Sequence, residues 1–129
     1  MSLFSLNHLA IITSNLKQTQ NFYGHKLGFK LQAKHFRPPK KDWLLKYRQG
    51  NLTLEIFVKP KAPKRPTYPE ALGLRHLAFD APDIESMILN LKKRGINCEK
   101  IRRDPFTKKK MTFFHDPDGL PIELYQTKA

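Results

Sequence analysis

The sequence predicts an α+β fold of two tandem βαβββ modules whose sheets form an open half barrel, and three observations carry that expectation. His8-Leu9-Ala10-Ile11 returns as His76-Leu77-Ala78-Phe79, and Leu54-Glu55-Ile56-Phe57 returns as Ile122-Glu123-Leu124-Tyr125, both at an offset of 68 residues (8 to 76, 55 to 123). Each copy reads as a strand, a helix and three further strands. Between them, residues 59 to 73 place Pro60, Pro63, Pro66 and Pro69 among lysines, a composition suited to neither helix nor strand. Such repetition constrains the fold and pairs residues far apart in sequence. The expected organisation is one domain over residues 1–129, with module one at 1–58, a linker at 59–73 and module two at 74–127.

In module one, Leu3 to Thr13 carries β-branched and apolar residues up to the turn formers Ser14-Asn15 and reads as a strand. Asn15 is suited to cap a helix running to about Leu27, with Leu16, Phe22, Tyr23 and Leu27 buried and Gly28 as its stop. Three strands follow, Phe29 to Phe36, Trp43 to Arg48 and Leu52 to Val58, separated by the Pro38-Pro39 loop and a tight Gln49-Gly50-Asn51 turn. In module two Leu74 to Ala81 repeats the first strand. Pro82-Asp83 starts a helix with Ile84, Met87, Ile88 and Leu91 as its apolar stripe, and Gly95 ends it. Strands are expected near Asn97 to Arg102, Met111 to His115 and Leu120 to Gln126, the last two joined by Asp116-Pro117-Asp118-Gly119.

A chain of 129 residues is long enough to bury a core without staples. No apolar run approaches the ~20 residues that cross a bilayer, and no basic stretch followed by an apolar core opens the chain. No membrane partner is expected. The lone Cys98 has no partner for an intrachain disulfide, which suits a reducing compartment, and the cytoplasm is the expected location. Net charge is +13, concentrated in Lys34 to Lys41, Lys59 to Arg65, Lys92 to Arg94 and Lys100 to Lys110. Clusters of this kind attract nucleic acid or anionic metabolites. No helix-turn-helix, zinc-finger or aromatic RNA-binding signature accompanies them, so the expectation is a solvated surface, no nucleic-acid partner and a small, anionic substrate.

Strand alternation puts Leu52, Leu54, Ile56 and Val58 on one face and Thr53, Glu55 and Phe57 on the other. The second copy sets Leu120, Ile122 and Leu124 against Pro121, Glu123 and Tyr125. If each helix covers the apolar face, His8, Glu55, His76 and Glu123 all project from the uncovered one. A lone strand histidine is more often a hydrogen-bonded core residue than a ligand, but four metal-binding side chains at repeat-equivalent positions make a metal the economical reading. The expected ligands of one divalent transition metal are therefore His8, Glu55, His76 and Glu123, a set suited to zinc, nickel, cobalt, iron or manganese. His25, in the first helix, and His35, in a basic loop, are expected at the surface, and His115 is left unassigned.

These residues resemble the vicinal oxygen chelate superfamily, also called the glyoxalase, bleomycin-resistance and dioxygenase group. The resemblance rests on His8 and His76, on Asn21-Phe22-Tyr23 and Leu27-Gly28-Phe29, and on Asp116-Pro117-Asp118-Gly119 leading into Ile122-Glu123-Leu124. Within it, Arg65-Pro66, Pro69-Glu70-Ala71, Gly73 to Phe79, Phe113-Phe114 and Leu120-Pro121 resemble the short YaeR-like, glyoxalase-I-like branch. The set of two His and two Glu is similar to that of bacterial glyoxalase I. The resemblance implies a metal-dependent lyase or isomerase acting on a hemithioacetal or related α-hydroxycarbonyl through an enediolate. Nickel or zinc is the favoured ion, Glu123 matches the catalytic base, and exposed sheet edges add to the case for a homodimer. Ile12 and Lys59 stand where glyoxalase I carries an Arg and an Asn for the glutamyl end of glutathione, so glutathione is not implied as the thiol. A small-molecule binding or resistance protein, or a dioxygenase or epimerase of the same fold, are the alternatives.

Overall fold

The structure, a computed structural model, describes residues 2–128. Residues up to Pro63 form one compact unit and those from Lys64 onward a second, the division falling inside the proline-rich stretch, which carries neither helix nor strand. Both units follow the order strand, helix and three strands, so the fold is α+β with two βαβββ modules.

The first module comprises β1 (Leu9–Thr13), α1 (Leu16–Thr19) continuing as a wider π-helical turn over Gln20–Lys26, β2 (Lys30–Arg37), β3 (Asp42–Gln49) and β4 (Leu52–Val58). Its open sheet has the order β1-β4-β3-β2, with β1 parallel to β4 and the other pairs antiparallel. Asn15 caps α1, its Oδ1 accepting from the Gln18 amide at 2.8 Å. The helix widens where Leu27 N reaches back to Phe22 O at 2.9 Å, and the larger turn lets the adjacent Phe22 and Tyr23 both enter the core. Gly28 closes it with φ +79°. Thr19 Oγ1 donates to Thr13 Oγ1 at 2.7 Å, tying α1 to β1. The alternation expected of β4 holds from Leu54 onward: Leu54, Ile56 and Val58 are buried, with Leu45 and Tyr23 beside them in the core, while Glu55 and Phe57 are half-buried on the other face; at the start of the strand Leu52 is half-buried and Thr53 buried.

The second module comprises β5 (Leu77–Ala81), α2 (Ile84–Lys93), β6 (Arg102–Arg103), β7 (Lys110–His115) and β8 (Pro121–Gln126), with sheet order β5-β8-β7-β6 and β5 parallel to β8. Asp83 caps α2 by accepting from Ser86 N at 3.1 Å, and Glu85 in its first turn forms an ion pair with Lys110. The Asp116 to Gly119 turn is built on one carboxylate, whose Oδ1 accepts from both Asp118 N and Leu120 N at 2.9 Å. Ile84, Ile122 and Phe114 form the core of this module.

Three expectations need correction. The opening strands begin at Leu9 and Leu77, not Leu3 and Leu74, because β4 pairs with β1 only from Leu54 and β8 with β5 only from Ile122. His8 and His76 therefore each stand one residue before a strand. The strand expected at Asn97 to Arg102 is reduced to Arg102–Arg103; Glu99 N still donates to Phe113 O at 2.8 Å, but no regular ladder forms there. His35 lies in β2, not in a loop, although it is exposed as expected.

Candidate metal centre

The register of the parallel strands places each histidine beside its glutamate. Ala10 lies opposite Glu55 and Ala78 opposite Glu123. His8 and His76 each precede that alanine by two residues and so reach the same sheet face as the carboxylate. His8 Nε2 is 3.6 Å from Glu55 Oε1, and His76 Nε2 is 3.2 Å from Glu123 Oε1. Two donors ~2.1 Å from a common ion stand ~3.0–3.4 Å apart at angles between octahedral and tetrahedral. Both pairs lie close to that separation, and imidazole with carboxylate is a donor set that divalent transition metals accept, so the residues fit such an ion. Among the described residues no group of three or more His, Cys, Asp or Glu gathers at one point. The structure thus brings His8 to Glu55 and His76 to Glu123, as two pairs.

The surroundings of the pairs differ. In the first, His8 Nδ1 donates to Asn7 Oδ1 at 2.6 Å, which leaves the Nε2 lone pair directed at the carboxylate side. That outer hydrogen bond is the usual support of a metal-binding histidine. Lys46 of β3 lies opposite Glu55 in the ladder. In the second pair the carboxylate is buried, Glu123 being 8% exposed. The residue opposite it is Phe113, whose ring meets His76 edge-on at 5.2 Å between centroids. A carboxylate this buried needs a partner, and His76 forms its ion pair. From sequence alone Asn7 and Lys46 have no role, and Phe113 is marked only through the family resemblance. The β3 and β7 neighbours become visible only once the hairpin registers are known, whereas an Asn adjacent to the first His was a readable signal.

Further along the same face of the first sheet, Asp42 is 2% exposed and held by three contacts. Arg37 donates from Nε and Nη2 at 2.7 Å each, and Lys59 Nζ at 2.5 Å. These hydrogen bonds, Arg37 first, hold the Asp42 carboxyl far below the usual carboxylate range and push the Arg37 guanidinium up. Arg37 also lies over the Phe57 ring at 4.7 Å. Lys59 is thus engaged with Asp42, and Arg65, at the far end of the basic stretch, donates from Nη2 to Arg75 O at 2.6 Å, bracing the backbone just before His76. His115 is exposed at the end of β7, its Nε2 3.9 Å from Glu99 Oε2, and His25 is exposed in the π-helical turn. No helix among the described residues is long and apolar enough to cross a membrane.

Comparison with known proteins gives a match to the Glyoxalase/Bleomycin resistance protein/Dioxygenase superfamily over residues 5–124. The chain is 42% identical to YaeR of Escherichia coli (strain K12) over 127 residues, 98% of each chain. It is 43% identical to YwkD of Bacillus subtilis (strain 168) over 127 residues, 98% of this chain and 99% of that protein. Among solved structures, a glyoxalase family protein from Enterococcus faecalis is 51% identical and superposes with a TM-score of 0.94 over 97% of this chain and 99% of its own.

Proposed function

Because the chain belongs to the glyoxalase/bleomycin resistance protein/dioxygenase superfamily and repeats one imidazole–carboxylate pair in both modules, we propose that it is a divalent-metal-dependent, glyoxalase-I-like lyase or isomerase. Its substrate is a hemithioacetal or related α-hydroxycarbonyl. The observation that carries this reading is the His–Glu distance within each module, 3.6 and 3.2 Å, close to that of two ligands on a divalent ion. His8, Glu55, His76 and Glu123 form the ligand set, with nickel or zinc the favoured ion. When bound, the ion supplies Lewis-acid stabilisation of negative charge on the substrate oxygens.

The chain itself supplies the proton transfer. Glu123 takes the proton from the carbon bearing the hydroxyl, leaving an enediolate, and returns it to the adjacent carbon, so that a hemithioacetal becomes a thioester of a hydroxy acid with no net gain or loss of protons. Glu123 suits this role because it is buried with Phe113 opposite it in the ladder, whereas Glu55 is more exposed. His76 and Phe113 hold the reacting carboxylate on its sheet face.

The protein works as a homodimer in the cytoplasm on this reading. Leu3, Phe4 and Leu6 are 70–89% exposed in the segment before β1, an apolar stretch that calls for cover, and the edges of the open sheets invite pairing.

The test is thioester formation from methylglyoxal with a panel of low-molecular-weight thiols, in the presence and absence of nickel and zinc. Glu123→Gln is expected to keep metal and to lose turnover by ~10²-fold or more, the usual effect of removing a general base. Full activity of the metal-loaded variant would remove Glu123 from the mechanism. No thioester with any thiol, from protein shown to hold metal, would overturn the lyase reading itself.

A further inference from the structure

On the helix-free face of the first sheet, the register builds a row of cations that leads away from Glu55. Lys46 lies opposite Glu55, Arg48 is the next β3 residue on that face, and Lys30 of β2 lies opposite Arg48. Like charges placed directly across a ladder repel, and among the described residues no carboxylate makes an ion pair with Lys30, Lys46 or Arg48. Lys30 and Arg48 line a cavity of about 330 Å³ with Gln32, Gln49, Gly28 and Gly50.

Its wall is made of groups that donate to anions. A bulge between Leu31 and Ala33 takes Gln32 out of the strand's alternation and into this wall, where its Nε2 lies 3.4 Å from Lys30 O. Gly28 and Gly50 have φ +79° and +57°, and nothing lies within 4 Å of where a Gly50 Cβ would be, so backbone is open to the cavity at its rim. Two cations, two carboxamides and two glycines line it, without an acidic group. Strands ~4.8 Å apart and alternate residues ~6.7 Å apart put the cavity on the order of 10–15 Å from Glu55.

We propose that this cavity binds an oxyanionic group, carboxylate or phosphoryl, at the end of the substrate remote from its reacting carbons. Arg48 offers a planar fork and Lys30 a point charge to the same oxyanion, and the anion offsets their repulsion. The assignment to the substrate rests on the lyase reading above; anion binding as such does not.

The full chain, labelled with ¹⁵N, is titrated at low ionic strength with inorganic phosphate and separately with acetate, following the Gly28, Gln32 and Gly50 amides. Saturable shifts confined to those amides are expected. They should weaken about tenfold or more in the Lys30→Gln/Arg48→Gln variant and stay unchanged in Lys92→Gln/Lys93→Gln, which removes the same charge from α2. Tighter phosphate binding assigns a phosphoryl end, and equal binding of the two anions a carboxylate end. Absence of saturable shifts with both anions, or equal weakening in the α2 variant, overturns the proposal. Zinc uptake is measured on the same samples: intact uptake with no anion binding refutes this inference alone, whereas the loss of uptake in wild-type protein refutes the metal reading separately.

Discussion

Replacing Asn7 by alanine takes away the carbonyl to which His8 Nδ1 donates at 2.6 Å, without touching a ligand of the proposed metal. While Asn7 accepts that proton, the neutral ring is held in the tautomer whose Nε2 lone pair is free, 3.6 Å from Glu55 Oε1. In the variant the ring exchanges tautomers and rotates. Loss of such an outer partner typically lowers metal affinity 10–100-fold. The His8 side chain is 37% exposed, so water replaces part of the lost bond and the lower end applies. The expected loss is about tenfold, or ~1.4 kcal/mol of binding free energy. Competition of the full chain against a chromophoric chelator for zinc, and again for nickel, measures it. Asn7→Asp retains the acceptor and should bind at least as tightly, while His8→Ala should lose ~10²-fold or more. Asn7 is exposed, so melting temperature in the metal-free state should be unchanged. Affinity of Asn7→Ala within twofold of wild type, with His8→Ala still impaired, would refute the tautomer argument.

Other expectations follow from burial and charge. Ile56 is fully buried between Ile11 and Leu45, so Ile56→Ala should cost ~2–5 kcal/mol, a fall of roughly 8–18 °C in melting temperature for a chain of this size. Ile12→Ala, at a site 56% exposed, should change it by less than ~3 °C; calorimetry compares the two. The Asp42 carboxyl is held below its unfolded pKa by Arg37 and Lys59, so its stabilisation is complete above the unfolded value of about 4 and drains away as pH falls below it. Acid titration of stability should show this loss, and Asp42→Asn should be less stable at neutral pH and flatter below pH ~4. Light scattering at micromolar concentration should give twice 15.1 kDa, and Leu3→Ser/Phe4→Ser/Leu6→Ser should shift it toward monomer.

The register of Glu55 with Glu123 and of His8 with His76 was legible because an exact repeat survives at both positions. The caps were legible as well: Asn15 and Asp83 each accept from the amide three residues on, as short polar side chains before an apolar run should. The π-helical turn was not. It accompanies the burial of adjacent Phe22 and Tyr23, and the helical period of the sequence carries no mark of it. The early start assigned to β1 failed for a similar reason. Leu3, Phe4 and Leu6 have the composition of a strand, but a strand needs a neighbour to bond to, and β4 offers β1 one only from Leu54.

The least legible feature bears most directly on the chemistry. The two glutamates repeat at 68 residues (55 to 123), yet the residues opposite them, Lys46 and Phe113, are separated by 67, because β4 follows β3 through a tight turn and β8 follows β7 through the longer Asp116 turn. A repeat read by sequence alone sets Glu55 and Glu123 as equals. The ladders make them unequal, one in register with Lys46 and more open, the other in register with Phe113 and buried. An acid–base residue has to exchange its proton and a structural ligand has to keep its charge, and two identical half-sites would have no reason to divide those tasks. Phe113→Lys would give the second glutamate the neighbour that the first already has. If burial against Phe113 is what suits Glu123 to act as base, that variant should hold metal at least as well as wild type and turn over at least tenfold more slowly. Thioester formation and zinc affinity measured on the same preparation decide it: unchanged turnover with unchanged metal would mean that the difference between the modules has no part in the reaction.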